Sequence, residues 1–169
     1  MNTYIRYAKK ADADAIALIN SQSFKTAFSG IIPDDFLEEK FSYERLRDRL
    51  SQEICEDIAV NSIMFLEDKP VGMMTFGNPV VEEDDTLTIE IMRIYLLPEH
   101  WGERLGKEFM EWGLKELHKM GYKKVNLWVI EENSRARGFY KKMGFKHEGV
   151  TRIINPGREI TDLRYERQL

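Results

Sequence analysis

Residue types that often carry metal or redox chemistry are scarce in this sequence. Its 169 residues include one cysteine, Cys55, and three histidines that stand far apart, His100, His118 and His147. A single cysteine cannot form a disulfide within the chain, and no spacing of cysteine and histidine resembles a zinc site. We therefore expect neither a disulfide framework nor a metal ion.

Long apolar runs and an excess of positive charge are also lacking. No segment approaches the ~18 consecutive apolar residues of a membrane-spanning helix. The first residues, MNTYIRYAKKADADAIAL, do not have the pattern of a secretory signal. A net charge of −4 argues against general nucleic-acid binding, which requires a basic surface. We expect a single domain over residues 1–169, located in the cytoplasm, with no membrane or nucleic-acid partner.

The order of the apolar patterns predicts an α/β fold. The periodicities indicate a strand, two helices, three strands, a helix, a strand, a helix and two strands. The strand–helix–strand unit across residues 86–130 implies a parallel pair with a right-handed crossover, whereas the hairpins imply antiparallel neighbours. We therefore predict a mixed, mostly antiparallel sheet of about seven strands with a central parallel pair. About four helices should flank it, at 12–24, about 33–54, 105–120 and 135–143, with Ser134 as the N-cap of the last.

The segment TLTIEIMRIYLLPEHWGERLGK, residues 86–107, combines an apolar strand, a proline break, a glycine-bearing loop and the start of a helix. A helix start leaves backbone N–H groups unpaired and favours anions such as phosphate, although an ordinary strand-to-helix connection is the alternative. The acidic run at 82–85 before it is either a solvated connection or a means of attracting a cationic substrate. The two early helices form either a lid or a wall of a substrate site, or they serve only to pack against the rest of the fold.

Two segments resemble the GNAT family of N-acetyltransferases. The segment IYLLPEHWGERLGKEFM resembles the family's strand, proline and pyrophosphate loop, often written Q/R-x-x-G-x-G/A, and NSRARGFYKKMGF resembles its asparagine, alanine, aromatic–tyrosine and Gly–Phe pattern. In the first segment Trp101 replaces the usual Gln or Arg and Arg104 replaces the first glycine, while Gly106 is kept. The early helices and the closing segment loosely resemble bacterial spermidine/spermine acetyltransferases.

The resemblance implies acetyl-CoA as the cosubstrate. Carried over to the matching positions, it implies cofactor contacts from the end of the strand, from the loop and from one asparagine: Ile94, Tyr95, Leu96, Gly102, Glu103, Arg104, Leu105, Gly106, Lys107 and Asn133.

An amine of pKa ~10.4 must lose a proton before it can attack a thioester. Glu90 lies in the otherwise apolar strand TIEIM and matches the glutamate that some family members use as general base. The position of a second family glutamate, on the following strand, holds Trp128. The family also implies Tyr140 as the general acid beside the cofactor sulfur. The alternatives are a solvent-facing or salt-bridged Glu90 and a Tyr140 that is only a core aromatic.

The sequence therefore predicts direct acetyl transfer to the primary amine of a small molecule, a polyamine or an amino-acid-like compound. One alternative is acetylation of a protein or peptide amino terminus. Another is non-catalytic acyl-CoA binding, which the departures of Trp101 and Arg104 from the family's loop pattern would suggest. Cys55 lies outside both matching segments and receives little weight as an acetyl-enzyme nucleophile. The oligomeric state stays open, with the homodimer that is common in such proteins as one option.

Overall fold

The computed structural model describes residues 2–79 and 87–169, so the acidic run at 82–85 lies outside the described residues. The strands of the described chain are β1 (Thr3–Tyr7), β2 (Val60–Leu66), β3 (Lys69–Gly77), β4 (Thr88–Leu96), β5 (Lys124–Ile130), β6 (Lys146–Ile154) and β7 (Ile160–Gln168). The helices are α1 (Ala13–Phe28), α2 (Asp34–Lys40), α3 (Tyr43–Cys55), α4 (Leu105–Lys119) and α5 (Ser134–Lys142), with short 3-10 turns at Lys10–Asp12 and Pro98–His100. No helix within these ranges is both long and apolar enough to cross a membrane.

The predicted mixed sheet is confirmed. Its seven described strands lie in the order β1-β2-β3-β4-β5-β7-β6. Neighbouring strands pair antiparallel except β4 and β5, which are parallel and are connected through α4. The crossover expected across residues 86–130 is therefore the central feature of the sheet.

Three helix boundaries differ from the prediction. The first helix, expected over 12–24, extends to Phe28. The single helix expected over about 33–54 is two helices, because Ser42 adopts an extended conformation (φ −62°, ψ 147°) at the N-cap of α3. The N-cap of α5 is Asn133 and not Ser134, since the Asn133 side chain accepts a hydrogen bond of 3.1 Å from the Ala136 amide. Asn and Ser cap about equally well, so the residue whose side chain reaches the third helical amide is the cap.

The sheet carries a core on each face. On one face α4 packs over a cluster that includes Phe109, Leu117 and Phe145. On the other face α1 and α3 cover a second cluster, which includes Ile16 and Leu50. Each face of the sheet is therefore buried at its centre, and a charged side chain at the centre of a strand needs a specific environment.

Strand β4 is irregular at its middle. Thr75 of β3 lies opposite Arg93, but the next residue, Phe76, lies opposite Ile91, so Met92 is an extra residue in a β-bulge. The parallel pairing of β4 with β5 joins only residues 88–90 to residues 124–126. Beyond Glu90 the two strands separate, and a cleft opens between them.

Candidate active site

The cleft between β4 and β5 continues into a cavity of about 1230 Å³. Side chains of α1, α2 and α3 form one wall of this cavity, as a substrate-site wall would require. A single drug-sized ligand needs about 300–1,000 Å³. The cavity therefore has room for the arm of a cofactor together with a small second substrate.

Most of the residues predicted for the site line this cavity. They are Glu90, Ile94, Tyr95, Leu96, Gly102, Arg104, Gly106, Lys107, Asn133 and Tyr140. Glu103 and Leu105 do not line it. The Glu103 carboxylate lies 2.9 Å from Nδ1 of His100, and Leu105 is buried in the core beside α4. Their contribution to cofactor binding could come only from the backbone.

The start of α4 has the features of a phosphate site. No side chain of the described chain caps this helix, so its first amide groups stay available at the positive end of the helix dipole. Arg104, at the N-cap, has a left-handed backbone with φ 68°. This is the position at which the family pattern has glycine, which adopts that conformation without strain. Arg104 is strained in this conformation, and it adds a guanidinium group to the lining of the cavity.

Trp101 connects the loop to the end of β4. Its indole Nε1 donates a hydrogen bond of 2.8 Å to the carbonyl oxygen of Leu96. The guanidinium carbon of Arg135 lies 3.8 Å from the centre of the indole ring, in a cation–π contact. The residue that departs from the family pattern therefore fixes the loop and positions a cation beside it.

The free edge of β4 presents backbone groups to the cleft. The amide of Leu97 donates to the carbonyl of Val71 on β3, so the N–H and C=O groups of Leu96 and Ile94 point the opposite way, towards the cleft. The Leu96 carbonyl already accepts hydrogen bonds from Trp101 and from Ser23 Oγ, the latter at 2.8 Å. Ile94 therefore offers both a donor and an acceptor, whereas Leu96 offers chiefly its N–H.

Glu90 lines the cavity and is only 4% exposed. This burial rules out the solvent-facing alternative. By strand alternation Glu90 points away from the α4 face that Ile89 and Ile91 occupy. The extra residue at Met92 shifts the alternation by one, so that Tyr95 points to the same side as Glu90. A buried carboxylate and a tyrosine thus share one wall.

The hydroxyl group of Tyr140 is the candidate proton donor. Its ring packs against Phe139 and Phe145, with centroids 5.5 Å and 6.0 Å away, and the hydroxyl has no hydrogen-bond partner in the described part of the chain. Burial raises the pKa of Tyr140 well above its usual range, and nearby Tyr95 adds to the shift. Burial likewise raises the pKa of Tyr95 to about 12. Both phenols therefore stay protonated at neutral pH.

Trp128 forms a second aromatic surface in the cavity, where the family's other glutamate would stand. The Arg152 guanidinium lies 4.0 Å from its ring centre and donates two hydrogen bonds to Asp162 Oδ2, at 3.0 Å and 2.8 Å. Burial raises the pKa of the Asp162 carboxyl, and Arg152 opposes that shift. The sequence reasoning missed this pair, although Asp162 stands in the otherwise apolar segment ITDL in the way that Glu90 stands in TIEIM.

A buried polar network reaches the cavity from α3. Thr75 Oγ1 donates to Asn61 Oδ1 at 2.6 Å, Asn61 Nδ2 donates to Glu53 Oε1 at 2.9 Å, and Arg93 Nη2 donates to Glu53 Oε2 at 2.5 Å. Arg93 lines the cavity beside Arg49 of α3. A lone arginine in the apolar strand IMRIYL was the available sequence signal for this network.

Comparison with known proteins agrees with this architecture. A family model described as "Acetyltransferase (GNAT) family" matches residues 22–145. The chain is 26% identical over 153 residues to a spermidine N(1)-acetyltransferase of Thermoplasma acidophilum, covering 88% of this chain and 91% of that protein. It is 27% identical over 132 residues to an uncharacterized N-acetyltransferase of Bacillus subtilis, covering 76% and 72%.

The fold has solved counterparts. The crystal structure of the PaiA N-acetyltransferase of Thermoplasma acidophilum in complex with coenzyme A superposes with a TM-score of 0.76 at 22% identity, covering 100% of both chains. At that identity the superposition supports the fold, and the family match covers most of the chain. The chain therefore belongs to the GNAT family of acetyltransferases and is an acetyl-CoA-dependent N-acetyltransferase.

Proposed function

We propose that this protein transfers the acetyl group of acetyl-CoA directly to the primary amine of a small molecule, with Glu90 as general base and Tyr140 as general acid. The observation that carries the proposal is that one cavity is lined by both a buried carboxylate, Glu90, and a partly buried, protonated phenol, Tyr140, beside the free edge of β4. The name of the spermidine acetyltransferase relative supports a small amine as the acceptor.

The cofactor would bind at the start of α4 and along the free edge of β4. Its pyrophosphate fits the uncapped start of α4, where Arg104 and Lys107 supply positive charge. Its extended arm fits the cleft edge of β4, where the backbone of Ile94 offers a donor and an acceptor. This placement directs the thioester into the cavity that Glu90 and Tyr140 both line.

The reaction requires protons to move at both the nitrogen and the sulfur. An amine of pKa ~10.4 is mostly protonated at neutral pH, so Glu90, directly or through water, takes one proton from the ammonium group, and the neutral nitrogen then attacks the thioester carbonyl. A C–N bond forms, and the C–S bond then breaks. The departing thiolate receives a proton from Tyr140, Tyr140 regains a proton from the nitrogen as the amide forms, and the proton on Glu90 passes to solvent. The products are the N-acetyl amine and coenzyme A.

The roof of the cavity favours a small acceptor over a protein terminus. The turn between β6 and β7 contacts the segment between α1 and α2, since Arg158 Nε donates to the Ile31 carbonyl at 2.8 Å. Gly157 lies so close to Pro33 that an added Cβ would be 3.2 Å from its Cγ. These contacts join two segments above the acceptor side, and a polypeptide would have to displace them.

An acceptor screen tests the proposal. The protein is incubated with acetyl-CoA and a panel of small amines and peptides, and free thiol release is followed over time. We expect turnover with small amines and little with peptides. Binding of acetyl-CoA without turnover of any acceptor would overturn the enzyme assignment, and turnover restricted to peptides would overturn the small-molecule assignment.

A further inference from the structure

The cavity is strongly cationic although the chain as a whole is acidic, with a net charge of −4. Among the described lining residues, two carboxylates, Glu90 and Asp162, face nine cationic side chains. Those nine are Lys40, Arg45, Arg49, Arg93, Arg104, Lys107, Arg135, Lys142 and Arg152. This surface is poorly suited to a polyamine, which would bring further positive charge into the same space.

Cofactor phosphates account for only part of this charge. Four of the cations belong to α5 and to the start of α4, where the pyrophosphate would lie. The other five lie on α2, α3, β4 and β6, on the acceptor side of the cavity. Three of these five have carboxylate partners, since Lys40 pairs with Glu39, Arg93 with Glu53 and Arg152 with Asp162. The other two, Arg45 and Arg49, form no ion pair within the described residues.

Only part of the hydrogen-bonding capacity of the Arg93 guanidinium is used within the described chain. Its Nη2 donates to Glu53 Oε2, and the other Glu53 oxygen already accepts from Asn61. Its Nη1 is buried and has no hydrogen-bond partner within the described residues. A buried donor without a partner is unfavourable, so an oxyanion at this position would be stabilised.

Arg49 lies near Arg93 and has no carboxylate partner of its own. It forms no ion pair with any described residue, and it is an exposed residue at the rim of the cavity that it lines. Partial burial and the positive charge of Arg93 lower the pKa of the Arg49 guanidinium, and Glu53 and Tyr95 only partly offset this lowering. Glu53 is ion-paired with Arg93 alone, so its charge balances only one of the two guanidinium groups, and the pair of arginines carries a net positive charge beside the cavity that both residues line.

This charge lies close to the reacting groups. Arg93 and Arg49 both act electrostatically on Tyr95, and Tyr95 acts on Tyr140. Arg93 also points to the same side of β4 as Glu90, because of the bulge at Met92. An anion held by the two arginines would therefore lie within the acceptor site.

We propose that the acceptor is a small amine that also carries an oxyanion, of which an amino acid is the simplest, and that Arg49 and Arg93 bind this oxyanion. The proposal rests on the proposed function and names its substrate class. A planar guanidinium pairs with a carboxylate through two parallel hydrogen bonds, so two adjacent arginines suit this group well.

The test compares acceptors that differ in a single carboxylate. Initial rates are measured with acetyl-CoA for ornithine against putrescine, lysine against cadaverine, arginine against agmatine, the other common amino acids against their amides, and spermidine. Aminoalkylphosphonates are a further arm that distinguishes a carboxylate from another oxyanion. We expect kcat/KM to be about 10- to 100-fold higher for the acidic member of a productive pair, from the usual strength of hydrogen bonds to charged groups.

Arg49→Gln should raise KM for the acidic acceptor by about 10-fold or more and leave kcat/KM for its decarboxylated partner within about 3-fold. Arg49 is the residue of choice because removing it leaves no buried carboxylate unpaired, whereas Arg93→Gln would leave Glu53 without its guanidinium. Arg47→Gln is the matched control, since Arg47 lies on the same helix, is exposed and pairs with Asp48. It should keep the preference of the wild-type enzyme.

Three outcomes would overturn the proposal. Equal or faster turnover of the amines without an oxyanion, spermidine included, would reject the substrate class while leaving acetyl transfer to amines intact. A preference for acidic acceptors that survives in Arg49→Gln would reject the assigned residue. Acetyl-CoA binding with no turnover of any amine would reject the proposed function itself, and the inference with it.

Discussion

Replacing Tyr140 with phenylalanine is the most direct test of the proposed chemistry, because it removes one oxygen atom and little else. The ring is held by packing against Phe139 and Phe145, and its hydroxyl has no hydrogen-bond partner within the described chain. The substitution therefore leaves no buried group unpaired, and the stability of the protein should change little. An effect on the rate can then be assigned to the missing proton donor.

The expected loss of rate in Tyr140→Phe follows from the contribution of a general acid, which is typically 10²- to 10⁴-fold. A thiolate is a fairly stable leaving group, so we place Tyr140→Phe at the lower end, a loss of about 100-fold in kcat. That loss corresponds to about 2.7 kcal/mol of transition-state stabilisation. The raised pKa of Tyr140 keeps the phenol protonated through neutral and moderately alkaline pH, so its ionisation should not limit the wild-type rate there.

The assay follows thiol release at saturating acetyl-CoA and acceptor, with the binding of acetyl-CoA measured separately. Tyr122→Phe is the control, because Tyr122 lies past the end of α4 and does not line the cavity. We expect kcat to fall in the Tyr140 variant, cofactor affinity to change by less than about 3-fold, and the control to behave as wild type. An unchanged kcat in a folded Tyr140→Phe variant would refute the role of Tyr140 as acid.

Three further substitutions test other parts of the structure. Glu90→Gln should lower kcat/KM by about 100-fold and remove the rise of rate with pH on the acidic limb, since a carboxylate base must be deprotonated; an unaltered pH profile would contradict Glu90 as base. Arg104→Gly should raise the melting temperature by relieving about 1 kcal/mol of left-handed strain, yet raise KM for acetyl-CoA; an unchanged KM would show that the guanidinium does not bind the cofactor. Gly72→Ala should lower the free energy of unfolding by about 1–3 kcal/mol, because the new Cβ would lie 2.6 Å from Leu96 Cδ2. Gly138→Ala is the control and should be tolerated, because no atom lies within 4 Å of its new Cβ. Equal melting temperatures of the two variants would contradict the packing described.

Most of the fold could be predicted because alternating and helical apolar patterns depend on which face of each element is buried. The same patterns were insufficient at the break between α2 and α3. Phe36, Leu37 and Phe41 precede the break and Leu46 and Leu50 follow it, and the step from Phe41 to Leu46 is five residues instead of three or four. Ser42, which adopts the extended conformation of an N-cap, separates the two helices there. A capping residue beside a one-residue slip in the apolar spacing is a weak signal.

The two sides of the site differ in how far they could be predicted. Glu90 could be predicted as buried because a carboxylate inside an apolar strand requires a special environment, and Arg93 and Asp162 carry the same signal. Arg49 carries none, because it lies on a highly charged helix whose pattern is that of a solvated face. Its place in the cavity depends on how α3 packs across β4, which is a tertiary property. The cofactor side is a matter of local sequence, and the acceptor side is assembled from distant segments.

The bulge at Met92 explains why a carboxylate, a tyrosine and an arginine can act together from one strand. In a regular strand Glu90 and Arg93, three residues apart, would point to opposite faces, and so would Glu90 and Tyr95. The extra residue reverses the alternation, so all three point to the acceptor side, while Ile94 and Leu96 join Ile89 and Ile91 in the core beside α4. It also stands just beyond the last pair of β4 with β5, where the cleft opens. One inserted residue thereby places on one wall of the cavity both Glu90, the proposed base, and Arg93, the cation proposed to hold the acceptor's oxyanion.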